Sequence, residues 1–154
     1  MPDQRADLSV TVKVNASAEE VWAALVDWDR QGEWILGTRV KGTAQGGRGV
    51  GGGVEAWTGV GPIGFLDTMV VTEWDPPRRC LVDHTGRVVR GTGALEVEPL
   101  GANLCRILWS EHLDLPFGAV GRLGWSVVRP VSRYAITRSL RKLARTVETA
   151  WLPH

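Results

Sequence analysis

Residues 15–34 read NASAEEVWAALVDWDRQGEW, a pattern typical of a short amphipathic helix with a defined start. Ser17 is a favourable N-cap residue, and Glu20 three positions later completes a capping box. Four apolar side chains recur at helical spacing and predict one buried face: Val21, Trp22, Leu25 and Val26. A second short helical turn is predicted from Asp29 to Trp34. The stretch therefore predicts two short helices in succession.

The segments on either side of these helices have the alternation of β-strands. Before them, apolar residues alternate with polar ones and predict a half-buried strand: Leu8, Val10, Val12 and Val14. From residue 38 to residue 113, short β-type runs are separated by turn signals such as Gly61-Pro62 and Asp75-Pro76-Pro77. Six strands fit this region, and the tight turns between them predict antiparallel pairing.

The helical period returns after Pro116 and predicts a long terminal helix. Its apolar face consists of Ile136, Leu140, Leu143 and Val147. Its opposite face is basic and carries Arg138, Arg141, Lys142 and Arg145. Residues 119–154 hold seven Lys or Arg and a single acid, Glu148. Pro130 is expected to kink this helix or to end a preceding segment, because proline lacks a backbone donor and crowds the preceding turn.

Length and composition indicate the class of protein. A chain of 154 residues is expected to form one domain, and its net charge of +1 gives no overall field for nucleic acid. No apolar run approaches the roughly 20 residues of a membrane span, and the N-terminus lacks the pattern of a signal peptide. Cys80 and Cys105 lie in predicted strands and are interpreted as buried, inert thiols. Together these features predict a cytoplasmic protein.

A glycine-rich run at residues 46–59 contains G-x-G-x-x-G at Gly47, Gly49 and Gly52. A dinucleotide site would need a helix that opens on the third glycine, because its free N–H groups bind the pyrophosphate. A short strand and a turn follow instead. The run is therefore interpreted as a hairpin between the second and third strands, to which the three glycines at 51–53 give mobility.

Three stretches resemble one superfamily: VNASAEEVWAALVDWDRQGEW, VVTEWDPPRRC and SEHLDLPFGAVGRLGWSVVRP. They are similar to the SRPBCC proteins, the START and birch-pollen-allergen-like helix-grip proteins, and more narrowly to the polyketide cyclase/dehydrase and lipid-transport branch. The resemblance implies an α+β helix-grip fold over residues 1–154. In that fold a curved antiparallel sheet of about seven strands wraps around a long C-terminal helix, with two short helices after the first strand.

The resemblance also implies a cavity for hydrophobic ligands between the sheet and the terminal helix. Some members of the superfamily catalyse aromatisation or cyclisation, and many only bind. In relatives the hairpin between the second and third strands borders the cavity mouth. The glycine-rich run is accordingly expected to act as a gate.

Strand alternation, together with the apolar face of the terminal helix, predicts which side chains face such a cavity. The predicted ligand-binding set is Val54, Phe65, Asp67, Met69, Val82, His84, Leu95, Trp109, Glu111 and Leu140. Three of these residues titrate, and buried ionisable groups are costly unless they are paired. Asp67, His84 and Glu111 are therefore the candidate acid–base groups. No close pair of metal-ligand residues such as H-x-x-x-H is present, so neither a metal nor a cofactor is expected.

The sequence predicts binding, carriage or sensing, of a hydrophobic or aromatic small molecule in this cavity. One alternative is a polyketide cyclase/dehydrase-type enzyme that uses the three titratable residues. A second alternative is a module that binds a partner or a membrane surface through the basic face of the terminal helix. Nucleic-acid binding is not expected, because only Tyr134 lies among the arginines as an aromatic group on which bases could stack.

Overall fold

A computed structural model describes residues 5–87, 89–114 and 118–150 of the chain. The elements follow one another as β1 (Arg5–Val14), α1 (Ala18–Leu25), a 3₁₀ helix (Trp28–Glu33), β2 (Thr38–Gly42), a second 3₁₀ turn (Ala44–Gly47), β3 (Gly53–Val60), β4 (Ile63–Asp75), β5 (Arg79–Thr85), β6 (Arg90–Gly101), β7 (Leu104–Asp114) and α2 (Gly118–Ala150). The predicted α+β order, with two short helices and then six strands, is confirmed.

The start of α1 follows from its capping residue. Ser17 has an extended backbone, and its side chain accepts a hydrogen bond from the backbone amide of Glu20 at 3.2 Å. This bond satisfies one of the amides that have no partner inside the helix. The buried side of α1 consists of Ala18, Val21, Trp22 and Leu25. The cap and the apolar face therefore direct α1 against the interior of the sheet.

The seven strands form one curled antiparallel sheet in the order β1-β7-β6-β5-β4-β3-β2. Consecutive strands from β2 to β7 are neighbours, and β1 closes the far edge by pairing with β7. In β4 the register with β5 shifts between Val71 and Glu73. Residues before and after this bulge therefore cannot be assigned to a face by one continuous alternation.

The concave side of the sheet is closed at one end by α1 and by the C-terminal half of α2. We call this region the closed end. It includes the fully buried side chains of Val14, Leu25, Ile107, Leu140 and Leu143. Cys80 and Cys105 are buried as free thiols, as predicted; Cys105 lies at the closed end, whereas Cys80 lies at the wall of the cavity described below. Burial raises the pKa of Cys80 to about 12, and burial together with the charges of Glu19 and Glu20 raises the pKa of Cys105 to about 11.

The terminal helix α2 continues through Pro130, so this proline does not end a preceding segment, and the kink expected as the alternative stays a prediction. The side of α2 opposite the sheet changes character along its length. Its first half exposes an apolar row at Leu123, Val127, Val131 and Tyr134. Its second half exposes the basic residues Arg138, Arg141, Lys142 and Arg145. Among the described residues, no helix is long and apolar enough to cross a membrane.

The glycine-rich segment between β2 and β3 is held against the sheet. Gly51 donates to the carbonyl of Val71, and the amide of Val71 donates to the carbonyl of Gly52, both at 2.8 Å. The indole Nε1 of Trp28 donates to the carbonyl of Gly47 at 2.9 Å in a buried contact. The hairpin position is as predicted, but none of residues 46–53 lines the cavity described below. The segment therefore does not line the cavity, and the mobility expected of a gate stays a prediction.

Candidate functional site

A cavity of about 290 Å³ lies between the concave side of the sheet and the middle of α2. The sheet contributes apolar walls from Phe65, Met69, Val82, Leu95 and Trp109. The helix contributes mainly small side chains, namely Ser132, Ala135 and Ser139, together with Ile136. The first 3₁₀ helix adds Trp28 and Gln31. Space remains here because α2 presents small residues where the closed end has Leu140 and Leu143.

One part of the cavity wall is polar. The ring of His84 lies between two carboxylates, with Nδ1 at 2.9 Å from Asp67 Oδ1 and Nε2 at 2.7 Å from Glu111 Oε2. Trp109 donates its indole Nε1–H to the other oxygen of Glu111 at 3.1 Å. We call Asp67, His84 and Glu111 the polar cluster. The side chain of His84 is 3% exposed, whereas those of Asp67 and Glu111 keep 16% and 15% of their surface.

The polar cluster is assembled from three strands of the sheet. Asp67 lies on β4, His84 on the neighbouring β5, and Glu111 on β7, which is separated from β5 by β6. At the intervening position β6 carries Gly93, which pairs with Glu111 in the register. A Cβ at Gly93 would lie 2.8 Å from Glu111 Oε2 and 3.1 Å from His84 Nε2. The missing side chain therefore lets two strands that are not neighbours bring their polar groups into contact.

The charge of His84 follows from its two partners. Burial alone lowers the pKa of His84, but hydrogen bonds to Asp67 and Glu111 and the charges of both carboxylates outweigh it and raise the pKa to about 10. Ionised carboxylates only accept hydrogen bonds, so each ring nitrogen must carry its proton to make both contacts. At neutral pH the residue is an imidazolium ion between two carboxylates.

Residues 5–148 match the family model described as polyketide cyclase / dehydrase and lipid transport. The chain belongs to this family. A search of proteins with curated functions finds no match.

Solved structures similar to this polyketide cyclase/dehydrase and lipid-transport family member share its fold. TTHA0849 from Thermus thermophilus has a TM-score of 0.76 at 16% identity, with 96% of this chain and 100% of that chain covered. The ZhuI aromatase/cyclase from Streptomyces sp. R1128 has a TM-score of 0.76 at 17% identity, with 94% of each chain covered. The di-domain ARO/CYC BexL from the BE-7585A biosynthetic pathway has a TM-score of 0.71 at 20% identity, with 96% of this chain and 48% of that chain covered. At these identities the likeness establishes the fold alone.

In this family member, most side chains of the predicted ligand-binding set line the cavity: Phe65, Asp67, Met69, Val82, His84, Leu95, Trp109 and Glu111. Val54 and Leu140 do not. Val54 is buried beside Gly47 and Trp28, where the glycine-rich segment covers it. Leu140 lies one helical turn beyond Ile136 and is fully buried in the closed end. Whether the eight lining residues contact a ligand stays a prediction.

Several lining residues of the family member were not predicted from its sequence. Gln31 is buried and donates its amide nitrogen to the carbonyl of Leu25 at 2.6 Å. On the helix, Ser132, Ala135 and Ser139 recur at spacings of three and four, which is the signal that could have marked a cavity-facing stripe. Ala56 and Thr58 line the cavity from β3. Small and polar side chains give no hydrophobic signal, so alternation of apolar residues did not reveal them.

The polar cluster does not have the arrangement of a metal centre. Within residues 5–87, 89–114 and 118–150, no group of three or more His, Cys, Asp or Glu side chains is arranged to hold a metal ion. Both ring nitrogens of His84 are directed at carboxylate oxygens, so the imidazole offers no lone pair to a cation. The three side chains bind one another rather than a common centre.

Proposed function

We propose that this protein binds a hydrophobic or aromatic small molecule in the cavity between the sheet and α2, as a carrier or sensor. The cavity itself carries this proposal, with about 290 Å³ of space, mostly apolar walls and a polar cluster in one wall. Protein interiors are ordinarily close-packed, so a space of this size is unusual without a use. Apolar walls with a few convergent polar groups are typical of small-molecule sites.

The hydrogen bonds of His84 favour binding over proton transfer by this residue. A general base needs a lone pair directed at the proton that it removes. The imidazolium of His84 has none, and both of its N–H groups are engaged at 2.9 and 2.7 Å. His84 therefore holds Asp67 and Glu111 in position. The carboxylates, which retain exposed surface, are the groups available to a ligand.

Native mass spectrometry of the protein purified from its own host tests the proposal. We expect an apolar adduct that leaves on denaturation. Ala135→Leu, which places a larger side chain in the cavity, should abolish the adduct. An adduct retained by this variant would place the ligand elsewhere. Absence of any adduct from the wild type, together with no binding of a panel of apolar dyes, would contradict the proposed function.

An enzyme of the polyketide cyclase/dehydrase kind is the alternative that one observation favours. Asp67 Oδ2 makes no hydrogen bond to any described residue, and the side chain lines the cavity. A carboxylate so placed could accept a proton from a substrate. If it does, Asp67→Asn should lower the rate by about 10² to 10⁴-fold with little change in affinity. If Asp67→Asn changes the affinity for the ligand and the wild type shows no turnover, the protein is a binder rather than an enzyme.

The outer side of α2 supports a third candidate function, attachment to an anionic membrane surface. Interfacial helices combine exposed apolar side chains with basic ones, and the outer side of α2 carries both kinds, one after the other along its length. Vesicles with and without anionic lipid should separate the contribution of the basic side chains from that of the apolar ones. Charge reversal at Arg141 and Arg145 should weaken binding to anionic vesicles only. Equal sedimentation with both vesicle types would contradict an electrostatic attachment.

We further propose that residues 1–154 form one ligand-binding domain that works in the cytoplasm. The family match over residues 5–148 supports the first part. The free thiols of Cys80 and Cys105 support the second, because cysteines persist unpaired in a reducing compartment. Fractionation of the host cells with detection by a specific antibody would test the location.

A further inference from the structure

The size of the cavity limits the part of the ligand that it can hold. An apolar cavity of about 150 Å³ accommodates one benzene molecule in an engineered protein core. The present cavity is about 290 Å³. It therefore has room for a body of about two fused six-membered rings. Anything longer must extend through the mouth.

The polar wall has one acceptor that the protein leaves unused. Asp67 Oδ1 and Glu111 Oε2 accept from His84, and Glu111 Oε1 accepts from Trp109. Asp67 Oδ2 has no hydrogen-bond partner among the described residues. The side chain is 16% exposed and lines the cavity, so this oxygen is available to a ligand. An ionised carboxylate oxygen can only accept. A ligand group that satisfies it must donate.

The net charge of the polar cluster also favours a ligand group that donates a hydrogen bond. Two carboxylates face one imidazolium, which leaves one net negative charge. None of the residues that line the described cavity is Lys or Arg. A ligand carboxylate or phosphate would therefore meet repulsion without a compensating cation, and its desolvation would be costly. A neutral hydroxyl or a protonated amine would be attracted.

The apolar residues beside Asp67 fix where the rest of the ligand lies. Phe65 and Met69 are two positions before and after Asp67 on β4, and all three side chains line the cavity. A donor at Asp67 therefore has an apolar surface on either side of it along the strand. Trp109 adds a flat aromatic wall from β7, next to Glu111.

From these observations we infer that the cavity selects a flat ligand part of about two rings that presents a hydrogen-bond donor to Asp67 and carries no acid group. This inference rests on the proposed function and specifies its ligand. Asp67 is the specificity-determining residue. Glu111 and His84 are positioning residues that hold its carboxylate through the shared imidazolium.

Calorimetry at pH 7 with four probes of one ring size tests the inference: 2-naphthol, 2-methoxynaphthalene, naphthalene and 2-naphthoate. A hydrogen bond to a charged acceptor corresponds to about ten-fold or more in affinity. We expect 2-naphthol to bind at least about ten-fold more tightly than its methyl ether and than naphthalene. We expect 2-naphthoate to bind least tightly. These comparisons use the unaltered protein and do not depend on any variant folding.

The variants then assign the preference to one residue. Asp67→Asn should reduce the advantage of 2-naphthol over its methyl ether. Asp83→Asn, at an exposed position of the neighbouring strand, should leave that advantage unchanged. Equal affinity of the wild type for 2-naphthol and its ether, or tight binding of 2-naphthoate, would overturn the inference while the binding function stands. Failure of all four probes to bind would overturn the inference, and it would overturn the proposed function as well only if the wild type also carries no native adduct and binds no apolar dye.

Discussion

The closed end and the cavity are built on the same strands but are filled by different parts of α2. At the closed end, Leu140 and Leu143 are fully buried against the sheet and α1. About one to three turns earlier, the helix offers Ser132 and Ala135 to the same concave surface. The sheet contributes apolar side chains at both ends, with the polar cluster in addition at the cavity, so its apolar surface alone does not decide which end stays open. The difference shows that side-chain size along one helix sets the position of the cavity.

Removing a large side chain from the closed end should have the largest effect on stability. We expect Leu143→Ala to lower the free energy of unfolding by about 2 to 5 kcal/mol, because a buried leucine leaves a cavity. Leu123→Ala, on the same helix but 73% exposed, is the matched control and should change it by less than about 0.5 kcal/mol. Urea unfolding measures both. Equal effects would mean that the C-terminal half of α2 does not close this end.

The polar cluster in the cavity wall should make the free energy of unfolding depend on pH. The pKa of His84 is raised from 6.5 to about 10 in the folded protein by its two carboxylate partners. The unfolded chain has the ordinary value, so this contribution is fully present below pH 6.5 and is lost as the pH rises through 10. We expect the free energy of unfolding to fall over that interval more in the wild type than in His84→Gln. Parallel pH profiles would contradict a protonated His84.

A smaller effect is expected where the glycine-rich segment covers the interior. Gly47 has φ +71°, and a Cβ there would lie 2.6 Å from the indole of Trp28. Gly46 has φ +65° with nothing within 4 Å of an added Cβ, so it is the matched control for backbone strain alone. We expect Gly46→Ala to cost about 1 kcal/mol and Gly47→Ala up to about 3 kcal/mol. Equal melting temperatures of the two variants would show that the segment is not packed on Trp28.

Of the variants considered, one that fills the cavity should change the free energy of unfolding least and the binding of an apolar dye most. We expect Ala135→Leu to leave the free energy of unfolding unchanged or to raise it by about 0.5 to 2 kcal/mol, since it fills space rather than displacing packed atoms. Binding of an apolar dye should fall at least about ten-fold, because the leucine occupies the space that the dye needs. Val131→Leu, at an exposed position of the same helix, should leave dye binding unchanged. Unimpaired binding by Ala135→Leu would place the dye outside the cavity.

The sequence predicted the fold well because its signals are local. The capping box at Ser17, the turns between strands and the apolar face of α2 each depend on residues close in the chain. Alternation also predicted correctly that Asp67, His84 and Glu111 share one side of the sheet. It could not predict that they touch. That contact depends on the register of three strands and on the missing side chain at Gly93.

The errors have the same origin. Alternation gives the side of the sheet but not the position along the curled surface. Val54 was therefore placed in the cavity, and helical spacing placed Leu140 there for the same reason, although other elements cover both residues. The glycine-rich segment has the flexible composition of a gate, but its hydrogen bonds to Val71 and the bond from Trp28 depend on tertiary packing. Such long-range contacts leave no local pattern.

The two cysteines give this protein a practical property. Both thiols are fully buried, and their raised pKa values leave almost no thiolate at neutral pH. Maleimide reagents should therefore leave the native protein unmodified, although it contains two thiols. A single Ser132→Cys substitution would then carry a fluorophore at the cavity wall without any prior removal of the natural cysteines. The fold thus supplies a ready scaffold for a fluorescent sensor of whatever enters the cavity.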